Sequence, residues 1–145
     1  MHSEFELLSR AKNRALLSRK KNTKVGALLV DEVHNVIVEA SNDYIHPLYE
    51  NINLAVEADR HLYSEHAERR LIFSAITLGI FDFQNKTLVV THFPCCDCSR
   101  AIILIGIKKI ITFQKMDEDY LQKWGKNINI SKEMLEHNNI EIVLK

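Results

Sequence analysis

A chain of 145 residues with 46% hydrophobic and 26% charged side chains has ordinary globular values, which excludes disordered and collagen-like classes. Its apolar runs, such as residues 101–107, fall far short of the roughly 20 residues that a membrane span requires, so no membrane partner is expected. Nineteen basic and nineteen acidic side chains leave a formal net charge of zero. A chain that tracks a long polyanion usually carries a basic excess, so this balance argues against a polynucleotide and for a small substrate.

In chain order, the N-terminal MHSEFELLSR is charged and lacks an apolar stretch, so no secretory signal is expected. Ser3 and Glu6 form a capping-box pattern that opens a helix running to about Lys20, with Phe5, Leu8, Ala15 and Leu16 as its apolar positions. The basic cluster of Arg19, Lys20, Lys21 and Lys24 at its end reads first as a solvated face and second as a phosphate-binding rim. Residues 25–30 and 36–40 are apolar and rich in β-branched side chains, and the polar stretch 31–35 between them predicts a hairpin. Residues 41–64 read as a long polar loop, a length often tied to function. A helix is predicted over 66–78, with Gly79 ending it. A buried strand follows at 86–91, a helix at 95–105, a strand at 108–113, a helix at 131–137 and a last strand at 140–144. The alternation of strands and helices in the second half predicts parallel pairing. With four glycines, two prolines and no repeat, the chain reads as one α/β domain over 1–145, a five-stranded mixed sheet flanked by helices.

Two short motifs carry chemistry. The first is His66-Ala67-Glu68, and the second is Pro94-Cys95-Cys96-Asp97-Cys98, each at a predicted helix start. Three cysteines clustered at 95, 96 and 98 make a poor disulfide framework and suit metal binding in a reducing cytoplasm. On a first helical turn, residues three apart share a face, so Cys95 and Cys98 can converge on one ion, and a helix N-terminus favours thiolate. With His66 they offer three ligands for Zn2+, leaving a fourth position for water as catalytic sites do. Glu68, beside such a water, can take its proton and return it to a ring nitrogen and a leaving amine. Either motif alone is weak, since a single helical histidine is more often structural and one C-x-x-C serves redox and metal sites alike. Together they match the H-x-E…P-C-x-x-C signature of zinc deaminases.

The chain resembles the cytidine and deoxycytidylate deaminase superfamily, and most of all its dCMP deaminase branch. The resemblance rests on His66 to Arg69, on residues 91–107 (THFPCCDCSRAIILIGI), on Trp124 with residues 131–143, and on the hairpin 25–42. It implies a three-layer α/β/α cytidine-deaminase-like fold, zinc at His66, Cys95 and Cys98, and Glu68 as proton shuttle. It also implies hydrolysis of a cytosine nucleotide, dCMP above all, by a homo-oligomer. Asn42 aligns with an asparagine that contacts the sugar in the family. Ala67 reads as a small residue that lets its backbone N–H approach the base, or as a simple helix former, and Arg60 and His61 as candidates for the 5′-phosphate, or as surface charge. Two departures stand out. The branch's Gly-Tyr-Asn-Gly turn is here Ala40-Ser41-Asn42-Asp43, and its Asn-Ala after the helix start is Arg70-Leu71. A second, structural zinc site has no clear ligand set.

Other readings compete. The site could serve another amino-substituted ring, such as a free nucleobase, a nucleoside, a pterin-like compound or tRNA adenosine. A non-catalytic zinc module would need a fourth protein ligand and would leave Glu68 without a task. Cys96 reads as an ordinary buried thiol, His92 first as an uninvolved residue and second as a rim residue near the metal, and Trp124 as packing or a subunit contact.

Overall fold

The computed structural model describes residues 1–50 and 57–145, without the side chains of residues 48, 50, 57, 58 and 60. Helix α1 (Glu4–Ala15) opens with the capping box expected for it: Glu6 N donates to Ser3 Oγ at 3.2 Å and Ser3 N donates to Glu6 Oε2 at 2.7 Å. The helix stops at Ala15, a turn earlier than predicted. Beyond it two i→i−3 bonds, Leu17 N to the carbonyl of Arg14 and Ser18 N to that of Ala15, close the turn, and side-chain bonds then hold the chain. Ser18 Oγ donates to the carbonyl of Asn42 and Lys24 Nζ donates to the carbonyl of Ser18 at 2.9 Å.

The hairpin is present as β1 (Gly26–Val30) and β2 (Val36–Ser41), antiparallel, with a register irregularity between Leu29 and Val30. Asp31 builds its turn by accepting Val33 N at 3.0 Å and Asn35 N at 2.8 Å. Gly26 is there for closeness: a Cβ at that position would lie 1.9 Å from the carbonyl oxygen of Ala11, so only glycine lets β1 approach α1.

Residues 41–64 are not all loop. They contain a two-residue strand β3 (Asp43–Tyr44) and two 3-10 turns (Pro47–Glu50 and Glu57–Tyr63), and lead into β4 (Ser64–Glu65). Helix α2 (Ala67–Thr77) ends at Leu78, and Gly79 just beyond it takes the left-handed conformation at φ 81°. Strand β5 (Thr87–Val90), helix α3 (Cys96–Ile105) and strand β6 (Lys109–Thr112) follow as expected. Helix α4 spans Glu118–His137, 20 residues where only its last third was predicted, and β7 (Glu141–Leu144) closes the chain. The missed part is capped by Asp117, whose carboxylate accepts Tyr120 N at 2.7 Å. Its inward positions Tyr120, Trp124 and Ile128 recur every four residues among charged neighbours.

The large sheet runs β2-β1-β5-β6-β7. Strand β1 is antiparallel to β2 and β5, while β5, β6 and β7 are parallel, so the mixed five-stranded sheet is as expected. Alternate residues feed two cores. Leu28, Val30, Val89 and Ile111 pack under Leu7, Leu8 and Ala11 of α1. Ala27, Leu29, Leu88, Val90 and Ile110 face Leu71 and Ala75 of α2, Ile102 of α3 and Leu135 of α4. Burial on both faces makes β1 an unbroken apolar run, and the result is the α/β/α layering the resemblance implied. No helix among the described residues is long and apolar enough to cross a membrane.

Candidate active site

The site lies where the N-termini of α2 and α3 meet. Strand β3 pairs antiparallel with β4, Asp43 opposite Glu65 and Tyr44 opposite Ser64, and this ribbon delivers the chain to His66. His66 is the N-cap of α2, with extended backbone (φ −70°, ψ 152°). That conformation answers a geometric difficulty in the sequence: two residues apart on a helix would point about 200° from each other, but His66 has not yet entered the helix. Its own N–H donates to Glu65 Oε1 at 3.0 Å, and Glu65 pairs with Arg69 at 3.2 Å. The ring therefore turns toward α3 while Glu68, inside the first turn, is 4% exposed.

Cys95 is likewise the N-cap of α3 (φ −73°, ψ 171°), and Cys98 stands in the first turn, fully buried. Helix α4 holds this turn from behind. Ser131 Oγ donates to the carbonyl of Pro94 at 2.7 Å, which leaves Ser99 Oγ to donate to Ser131 Oγ at 2.6 Å. Asn127 Oδ1 accepts Cys96 N at 2.8 Å. The Cys96 thiol points away from the site, to the carbonyl of Asn127 at 3.1 Å, as an ordinary thiol would.

His66 Nδ1 lies 3.4 Å from the Sγ of both Cys95 and Cys98. A tetrahedral zinc with Zn–S of about 2.3 Å and Zn–N of about 2.0 Å would set N···S edges of about 3.5 Å. The three donor atoms all lie within 4.8 Å of one another, and they form the possible metal-holding cluster found among the described residues. The trio fits zinc, with three donors and room for a fourth ligand. Electrostatics agree. Hydrogen bonds from Cys98 and His66 pull the Cys95 thiol down to about 4, against burial. The hydrogen bond to Cys95 lifts the His66 imidazole to about 9, also against burial. Cys98, sharing a hydrogen bond with Cys95 and buried, is pushed up. These directions favour a Cys95 thiolate beside a His66 imidazolium and a Cys98 thiol in the metal-free trio, from which a divalent cation would displace protons. Burial pushes the Glu68 carboxyl up, so it is disposed to hold a proton.

In front of these residues opens a cavity of about 710 Å³. Ala67 and Glu68 line its floor, with His66 and Cys95 beside them. Asn42 lines its wall, but much of its amide is committed: Oδ1 accepts Val25 N at 2.8 Å and Nδ2 donates to the carbonyl of Thr23 at 2.8 Å. The side chain of Arg60 lies outside the described residues. Sequence reasoning missed part of the wall. His92 lines the cavity, its ring 5.0 Å from Tyr120, and Trp124 stands edge-on to His66 at 6.5 Å. Burial pushes the His92 imidazole down and the Tyr120 phenol up, so both stay neutral at ordinary pH. Tyr120 and Trp124 sit on the unpredicted turns of α4, and the four-residue spacing of Tyr120, Trp124 and Ile128 was the available signal. Lys20 and Lys21, read first as a solvated face, line the cavity rim together with Ser64.

A family model described as the cytidine and deoxycytidylate deaminase zinc-binding region matches residues 1–114. An uncharacterized deaminase in the luxG 3′ region of Aliivibrio fischeri is 32% identical over 126 residues, covering 86% of this chain and 81% of that protein. A probable deoxycytidylate deaminase of Caenorhabditis elegans is 29% identical over 140 residues, 94% of this chain and 65% of that protein, so the chain spans just under two thirds of its length. Among solved structures, the dCMP deaminase from cyanophage S-TIM5 in complex with dCMP and dUMP superposes with a TM-score of 0.72 at 20% identity, over 100% of this chain and 99% of that one. A diaminohydroxyphosphoribosylaminopyrimidine deaminase/reductase from Thermotoga maritima gives 0.67 at 23% identity, over 97% of this chain and 36% of that one. At these identities the structures establish the shared fold.

Proposed function

The chain belongs to the cytidine and deoxycytidylate deaminase family, and on that premise we propose that it hydrolyses the exocyclic amine of a cytosine nucleotide, with dCMP as substrate, giving dUMP and ammonia. One observation carries this reading: a buried carboxyl, Glu68, stands one residue inside the helix whose cap is His66, beside two cysteines that complete a three-donor set. Such a set holds zinc with a position left open, and zinc bound there supplies a Lewis acid that makes water acidic at neutral pH.

The chain's residues supply the rest. Glu68 takes a proton from the attacking water and delivers it to the ring nitrogen N3. It then carries a second proton to the amine, so that the C4–N bond breaks as C4=O forms and ammonia leaves. The raised affinity of its buried carboxyl for a proton suits a group that must accept and donate within one cycle. The backbone N–H groups at the start of α2, next to the small Ala67, face the bound ring. Trp124, Tyr120, His92 and Phe93 form a largely aromatic wall on which the base can pack while water is displaced.

The rim favours a phosphorylated substrate. Lys20, Lys21 and Lys123 line the cavity and offer ammonium groups that a phosphate can meet. An ammonia-release panel of dCMP, CMP, deoxycytidine, cytosine, guanine and tRNA tests the proposal. The expected order places dCMP first. Its kcat/KM should exceed that of deoxycytidine by roughly 10–100-fold, the worth of one charge-assisted contact. Turnover of cytidine or guanine with dCMP inert would overturn the substrate assignment.

A further inference from the structure

The two departures from the family pattern meet in one cluster. Asp43, where the branch's turn has glycine, is 8% exposed, and its carboxylate accepts Arg19 Nε through Oδ1 at 2.9 Å and Oδ2 at 3.1 Å. Asp43 Oδ1 also accepts Tyr44 N at 2.7 Å. Arg70, where the branch has asparagine, donates from Nη1 to the carbonyl of Tyr44 at 3.1 Å, and Arg19 Nη2 donates to the same carbonyl at 3.3 Å. Two guanidinium groups therefore converge on one backbone oxygen, one from the first turn of α2 and one from the segment between α1 and β1.

Neither arginine lines the cavity, but what they hold does. Tyr44 is 4% exposed and belongs to the cavity wall. Its ring carries the Lys20 ammonium 4.9 Å above its centroid, and Lys20 Nζ donates to Ser64 Oγ, on the opposite strand of the ribbon, at 3.1 Å. Moving the ribbon would thus move both groups that hold Lys20. Lys20 is a long, rotamer-rich side chain, and holding its head before substrate arrives removes an ordering cost from binding.

We propose that Arg70 is a positioning residue. Through the Tyr44 carbonyl it locks the β3–β4 ribbon to α2, so that Tyr44 and Ser64 hold the Lys20 ammonium at the rim, and in this way it sets the preference for a nucleoside monophosphate over the nucleoside. The inference rests on the phosphate role given above to the rim lysines. Arg70 is the informative arginine. Removing Arg19 would strand the buried Asp43 carboxylate, whereas removing Arg70 leaves Arg19 on the Tyr44 carbonyl and no buried group unpaired.

The test compares kcat and KM for dCMP, or the monophosphate the wild type prefers, with those for the corresponding nucleoside. Values are normalised to zinc-loaded sites in the wild type, Arg70→Ala, Arg70→Lys, Lys20→Ala and the Arg70/Lys20 double alanine variant. Arg70→Ala should raise KM for the monophosphate roughly tenfold, leave its kcat within about threefold, and leave nucleoside kcat/KM unchanged. Arg70→Lys should recover part of the loss, and the double variant should match Lys20→Ala alone, because both changes act on one contact. Should Arg70→Ala not fold, Arg70→Gln takes its place with the same expected ratio. A monophosphate preference that survives in the arginine variant overturns this inference alone, as does an equal loss on both substrates. A wild type with no monophosphate preference overturns the phosphate reading and this inference with it.

Discussion

Glu68→Gln keeps one zinc per chain and loses turnover by about ten-thousand-fold or more. The magnitude follows from the number of proton transfers assigned to one carboxyl: each positioned transfer contributes roughly 10²–10⁴-fold, and Glu68 serves more than one. Glutamine matches glutamate in shape and hydrogen-bonds in the same place, but it cannot accept and return a proton. Glu68 is not one of the three donors of the metal cluster, so metal content should not change. Metal analysis and ammonia release on the same sample provide the check, and activity within tenfold of wild type would remove Glu68 from the mechanism.

Stability should move the opposite way. Burial raises the Glu68 carboxyl above its ordinary value, so the folded state holds this proton more tightly than the unfolded chain does. As pH rises above the unfolded carboxylate value of 4.5, the unfolded chain loses its proton first, and this group's contribution to stability falls. Metal-free Glu68→Gln lacks that loss, so above about pH 5 it should melt no lower than metal-free wild type. A residue that costs stability and is indispensable to turnover marks a functional site.

Cys98→Ala loses both metal and activity. Cys98 is fully buried, its Sγ 3.4 Å from His66 Nδ1, and alanine leaves two donors where zinc needs three from the protein. Zinc affinity should fall by at least about 100-fold, more than an outer-shell partner usually costs. The wild type offers a finer reading of the same site. Near pH 7 the Cys95 thiol, held at about 4, is already a thiolate, whereas the His66 imidazole, lifted to about 9, and the Cys98 thiol are both protonated. Zinc binding should therefore release about two protons, one from each. Calorimetric titrations in buffers of different ionisation enthalpy measure that number, and stoichiometric zinc retained by Cys98→Ala would contradict the ligand assignment.

The donor set was legible in the sequence because it is local. His66 with Glu68, and Cys95 with Cys98, each occupy a few residues at a helix start, where spacing and cap chemistry decide direction. The strands were legible for a similar reason: 26–30 and 87–90 are buried on both faces, so the apolar stretches GALLV and LVV stand out in the sequence. What escaped depends on contacts far apart in sequence. The first turns of α4 look like polar loop, since Tyr120, Leu121 and Trp124 are set among charged and polar residues and Gly125 interrupts them. Their four-residue spacing with Ile128 marks a helix face, but that this face walls the cavity follows from contacts distant in sequence. The strands of the β3–β4 ribbon are two residues long and have no periodicity to read; Arg19 on Asp43, and Arg19 and Arg70 on the Tyr44 carbonyl, brace it from segments distant in sequence. Asn42 was singled out by resemblance for a sugar contact, yet its amide first pins Thr23 and Val25. The Lys20 segment read as a solvated face because nothing local says that it turns onto the cavity.

Hydrolytic deamination of dCMP, the substrate proposed for the zinc-loaded chain, is tested by incubating the two in water enriched in heavy oxygen. One ammonia released for each dUMP formed, with a single heavy oxygen in each uracil ring, is the expected result. Recovery of unchanged dCMP from a fully zinc-loaded protein would contradict it.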